Sequence, residues 1–90
     1  GQATGSVAVT LGETGAPTEV VVVAVAEGSE AERAGLAPGD VLVDVDGVGV
    51  GTMIAARARL SGPIADDVLL HVRRGDQTMA LRAEREAVRR

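Results

Sequence analysis

The sequence predicts one small α+β domain, mainly β with two short helices, and three observations predict it. Valine is abundant and gathers in short runs, and its β-branched side chain fits a pleated surface. Residues 7–11 and 68–73 alternate between apolar and other side chains, the period of a half-buried strand. Between them Glu27-Gly-Ser-Glu-Ala-Glu-Arg-Ala-Gly-Leu-Ala-Pro-Gly-Asp40 runs on into Val-Leu-Val-Asp-Val-Asp-Gly47. That run reads as a strand end, one helical turn, a glycine stop, a tight turn and a buried strand.

The elements follow in order. Residues 1–5 are expected as a flexible lead-in, residues 6–82 as the domain, and residues 83–90 as a charged tail, either frayed helix or linker. Val7, Val9 and Leu11 give the first strand one apolar face. Residues 12–18, with Gly15 and Pro17, form a loop. Residues 20–25 are almost wholly apolar, as in a strand covered on both faces. Ser29 caps the first helix by accepting a bond from a free backbone N–H, and Gly35 ends it in the left-handed region, where a Cβ would clash. Pro38-Gly39-Asp40 turns the chain into a strand, and Asp46-Gly47 reverses it. Thr52 caps a second helix through Ser61, stopped by Gly62-Pro63. Val68, Leu70 and Val72 mark the next strand, and after Gly75-Asp76 a last strand turns Met79 and Leu81 inward.

Composition removes several functions. Ninety residues sit near the lower limit for a core without covalent staples. Without cysteine there is neither a disulfide framework nor a thiolate metal site. Phe, Tyr and Trp are absent, so the core is aliphatic and single-stranded nucleic acid has no stacking platform. The longest apolar run, residues 20–26, is far too short to cross a bilayer. The start lacks a basic-then-apolar signal segment, and Gly1 in place of Met points to a piece of a longer protein. The net charge of −4 splits into −7 over residues 1–50 and +3 over residues 51–90, and every base is arginine. That split is read as surface dressing.

The run from Glu27 to Gly47 closely resembles the bacterial PDZ domain, whose members carry a similar Gly-Ser-x-Ala-x-x-Ala-Gly-Leu-x-Pro-Gly-Asp string before a buried strand and an Asp-Gly turn. The resemblance extends over about residues 5–82. Leu60-Ser-Gly-Pro63 and Val68-Leu-Leu-His-Val-Arg-Arg-Gly75 look like the corresponding segments in carboxyl-terminal processing (tail-specific) proteases. The HtrA-type envelope proteases carry similar domains. The resemblance implies a PDZ-like five- or six-stranded antiparallel β-sandwich or partial barrel with two helices. It also implies a function: holding an extended peptide, with a carboxyl terminus the expected partner, between strand 6–11 and helix 52–61.

By that resemblance the binding loop and strand are Ser6, Val7, Ala8, Val9, Thr10 and Leu11. Val7, Val9 and Leu11 would line the pocket for the last peptide side chain, closed by Leu60, with Met53 and Arg57 further along. Ala8 stands where the family has glycine, a departure whose cost depends on the sign of φ. Aliphatic walls favour a Val, Leu, Ala or Ile terminus, and Arg57 an acidic or hydroxyl side chain upstream. The resemblance further implies substrate recognition or regulation within a larger bacterial envelope or periplasmic protein, with that protein's other domains as further partners. The competing expectation is a scaffold domain that docks internally or within a secretion or membrane-associated assembly. Neither nucleic acid nor direct membrane insertion is expected.

Catalytic and cofactor chemistry is not expected of this chain. His71 is a lone strand histidine and reads as an exposed surface residue. Ser6, Ser29 and Ser61 lie in no Gly-x-Ser-x-Gly elbow. A Ser-Lys dyad cannot form without lysine. Gly47-Val-Gly-Val-Gly51 lacks the Gly-Lys-Ser/Thr end of a phosphate loop. Asp40, Asp44 and Asp46 fit no calcium-loop register, Asp44 and Asp46 sharing a solvated strand face. Asp66-Asp67 has no partner histidine.

Overall fold

A computed structural model describes residues 3–88. It contains β1 (Thr4–Gly5), β2 (Val9–Thr14), β3 (Glu19–Val25), α1 (Glu30–Ala34), β4 (Val41–Val45), β5 (Val48–Gly49), α2 (Met53–Leu60), β6 (Gly62–Pro63), β7 (Asp67–Arg74) and β8 (Gln77–Glu84). The main sheet has the order β2-β3-β4-β7-β8, with β5 attached to β4, and every pairing is antiparallel. A second, two-stranded sheet joins β1 to β6. The expected mainly β architecture with two helices is therefore present, with eight strands rather than five or six. The additional ones are two-residue pairs, and the sheet does not close.

Local signals hold where they are strongest. Ser29 Oγ accepts the Glu32 N–H at 3.1 Å, and Gly35 ends α1 at φ 100°. Asp46 and Gly47 have φ 50° and 80°, the two positive angles of a type I′ hairpin turn between Val45 and Val48. Thr52 Oγ1 accepts the Ala55 N–H, and α2 ends at Leu60 with Ser61 as its C-cap. The buried faces of β3, β4 and β7 meet in an aliphatic core containing Val20, Val45, Leu70 and Val72, closed on one side by Ala56 and Leu60 of α2. Helix α1 packs against β8, and α2 lies over β4 and β2.

Four expectations are corrected. The first long strand runs from Val9 to Thr14, not from residue 6 to 11, because Ser6 is paired elsewhere and Val9 N–H turns back to Val7 O at 2.9 Å. Strand β3 is buried on one face only, and Val23 stands 54% exposed. Thr4 and Gly5 are strand rather than flexible lead-in; Gly1 and Gln2 lie outside the described residues. From Ala83 to Glu86 the chain is neither helix nor linker: β8 continues through Glu84, Arg85 is buried, and Glu86 pairs with Ser6. Arg89 and Arg90 lie outside the described residues. Among the described residues, no helix is long and apolar enough to cross a membrane.

Candidate functional site

Strand β2 ends the main sheet, so among the described residues one of its edges has no neighbouring strand. A groove of about 750 Å³ opens where the segment from Thr4 to Thr10 passes α2. Of the sequence-predicted site residues, Ser6, Val7, Ala8, Val9, Thr10 and Arg57 line it together. Leu11 and Leu60 do not; they lie 4% and 1% exposed in the core beneath. Met53 packs against the core at the opposite end of α2, where its N–H donates to Glu13 Oε2 at 2.8 Å. The groove face of α2 is thus Arg57 and Ser61, one turn apart, while Ala56 and Leu60 point to the core.

Helix α2 runs antiparallel to β2. Its start is tied to Glu13 and its end borders the loop before Val9. Eight helical residues span about 12 Å. Four strand steps from Val9 to Glu13 span about 13 Å. The two walls are matched in length, and an extended chain of about four residues fits between them.

The loop's hydrogen bonds define its chemistry. Ser6 N–H donates to Glu86 O at 2.9 Å, Val9 N–H donates to Val7 O, and the Ala8 carbonyl accepts from Ala26 N–H at 3.0 Å. The N–H groups of Val7 and Ala8 donate to nothing among the described residues, although these residues are only 2% and 8% exposed. Two adjacent amides with no acceptor from the protein, on residues that line a groove, are a ready site for one. Ala8 is not at positive φ: the non-glycine residues that are, among the described residues, are Asp46 and Ala65. Alanine here therefore carries no left-handed penalty.

Sequence reasoning missed Ser61 and Val88, which also line the groove. A valine in a tail otherwise made of alanine and charged residues was the available signal for Val88. The acidic and histidine candidates have structural partners instead. His71 is half-buried rather than exposed, its Nδ1 2.7 Å from Asp44 Oδ1. Asp46 sits in the turn, off the strand face, and accepts from Leu69 N–H. Asp40 and Glu19 are each held below the usual carboxylate range, chiefly by hydrogen bonds from Arg74 and Arg73 respectively. Neither of them lines the groove.

An open antiparallel sheet with an edge strand facing a helix, two short helices in all, is a PDZ-like arrangement. The PDZ domain family profile matches residues 21–74, and the chain belongs to that family. It is 40% identical over 70 residues to the serine protease HhoB of Synechocystis, an alignment covering 74% of this chain and 17% of HhoB. Among solved structures, the photosystem II D1 C-terminal processing protease superposes with a TM-score of 0.86 at 28% identity, covering 96% of this chain and 24% of that one. The HtrA3 PDZ domain bound to a phage-derived ligand superposes with a TM-score of 0.72 at 24% identity, covering 96% and 89%. The chain therefore spans about a sixth of the curated relative and about a quarter of the processing protease.

Proposed function

We propose that this domain is a non-catalytic recognition module that adds an extended peptide to the free edge of β2, with the peptide's terminal carboxylate on the loop amides. The carrying observation is the pair of unpaired N–H groups on buried Val7 and Ala8, at the end of a groove flanked by an edge strand. A carboxylate supplies the acceptors those groups lack, and the strand edge supplies backbone bonds to the residues upstream. The φ of Ala8, which is not positive, supports capture rather than internal docking. The HtrA3 domain solved with a phage-derived ligand supports the same reading.

The walls set the preference. Val7 and Val9 suit a small or medium aliphatic terminus. Arg57, exposed on the groove face of α2, favours an acidic or hydroxyl side chain further upstream. Likeness to a serine protease and a processing protease supports a role in selecting substrates for a larger bacterial enzyme that works in the cell envelope. In that setting the partners are peptide or protein carboxyl termini and the other domains of the same protein.

NMR shift mapping of the labelled domain tests this, using peptides with free carboxyl termini and their amidated copies. The expected result is large shifts of the Val7 and Ala8 amides, smaller ones along β2 and at Arg57, all lost on amidation. Shifts indifferent to amidation, or none with any peptide, would overturn carboxylate recognition and favour a docking role.

A further inference from the structure

The groove has a wall that the expected site residues do not include. It comes from the segment leaving β8. Arg85 is 9% exposed and donates from Nε to Leu60 O at 2.7 Å and from Nη2 to Arg59 O at 3.1 Å, capping the C-terminal end of α2. Glu86 exchanges two backbone bonds of 2.9 Å with Ser6, at the base of the loop. Its carboxylate accepts the Glu30 N–H at 2.7 Å at the start of α1. Two consecutive residues thus join both sides of the groove to each other and to α1.

The neighbouring backbone is shaped for this segment. A Cβ on Gly5 would collide with the Glu86 carbonyl, and one on Gly62 would lie 2.7 Å from the Arg85 guanidinium carbon. Held this way, the chain carries Val88 to the rim of the groove, beside the end that holds Ser6, Val7, Ala8 and Ser61. Val88 is 43% exposed, so its side chain contacts the open space rather than the core.

We propose that residues 85–88 form a third wall of the groove and that Val88 limits the size of the peptide's last side chain. This rests on the peptide-recognition reading above. Arg85 and Glu86 act as positioning residues, and Val88 is the one that meets the ligand. Because Val88 is half exposed, changing it leaves the folded core intact.

The test is fluorescence anisotropy with the full chain and free-carboxylate peptides that differ only in ending with Ala, Val or Leu. Wild type is compared with Val88→Ala and Val88→Leu, each first checked for an unchanged melting curve. Each buried methylene is worth about fourfold in affinity. Val88→Ala is therefore expected to raise the Leu-to-Ala affinity ratio by about fourfold or more, and Val88→Leu to lower it. If wild type binds these peptides but the ratio stays within about twofold in both variants, or all peptides weaken equally, the Val88 assignment is overturned. If wild type binds none of them, the recognition reading fails first and the third-wall proposal falls with it.

Discussion

Replacing Asp40 should unfasten the turn that delivers the chain into β4. The Asp40 side chain is 1% exposed and accepts three bonds: from Arg74 Nε at 2.7 Å, from Arg74 Nη2 at 2.8 Å and from Ala37 N–H at 3.0 Å. Hydrogen bonds to a charged group contribute about 1.5–3 kcal/mol each in net terms, less where the partner can rehydrate. Arg74 is 42% exposed and keeps its bond to Gly35 O at 2.8 Å, so most of its loss is recovered from water. The Ala37 amide, in a part-buried bond, recovers less of its loss. Asp40→Ala is therefore expected to cost about 3 kcal/mol, and Asp40→Asn about 2, since the amide oxygen still accepts from Ala37. Against a total of about 4–13 kcal/mol for a chain of this length, that is a large fraction.

Urea denaturation measures these costs, and a double-mutant cycle with Arg74→Met isolates the pair, with an expected coupling of about 1–2 kcal/mol. The pH dependence supplies an independent check. The Asp40 carboxyl is lowered from its ordinary 3.8, so the stability it gives is present above that value and lost as pH falls through the folded-state pKa. Wild type should weaken more steeply than Asp40→Asn below about pH 4. A cost under about 1 kcal/mol, or a gap between the two proteins that stays constant from neutral to acid pH, would refute this account of the turn.

Three further outcomes follow from the same geometry. Ala65 holds φ 77°, so Ala65→Gly should stabilise the fold by about 1 kcal/mol in thermal or urea unfolding, relief of strain outweighing the added chain entropy. Glu13 places its carboxylate on Met53 N–H at the start of α2, so Glu13→Gln should cost about 0.3–1 kcal/mol, with the difference shrinking as salt is added. Arg85→Met keeps the buried alkyl stem but strips the Leu60 and Arg59 carbonyls of their donor. It should cost about 2–3 kcal/mol and speed amide exchange in the last turn of α2 more than in β7.

Much of the fold was legible because its decisive contacts are short in sequence. Ser29 reaches Glu32, Thr52 reaches Ala55, and the Asp46-Gly47 turn is closed by its own two residues. What escaped depends on distant partners. The strand could not be seen to begin at Val9 without knowing that Ser6 pairs with Glu86, 80 positions on. The apolar run of β3 concealed that only Val20 and Val22 are fully covered, since hydrophobicity shows which residues tolerate burial but not which face meets a neighbour. In the candidate groove, the resemblance had put the loop and Arg57 side by side, and both line it. The phase of α2 was left open between Leu60 in the groove and Leu60 in the core, because Ala56, fully buried, is too small to mark the core face; Leu60 lies in the core. Arg85 looked like tail because charge normally signals solvent, whereas here the guanidinium stands in for the missing end of a helix.

The Ser6–Glu86 pair also has a mechanical meaning. It brings the entering and leaving segments side by side and antiparallel, about 5.5 Å apart at Cα for a pair that exchanges both bonds. A load applied to the two ends would, once the β1–β6 pair outside Ser6 has opened, peel this pair bond by bond instead of shearing it. The eight-residue ladder between β7 and β8 lies behind it and does not bear the first load. After β1, the next residues freed would be those at the base of the loop and the rim beside Val88. A pull on the two ends would thus open one end of the groove before it reached the main sheet.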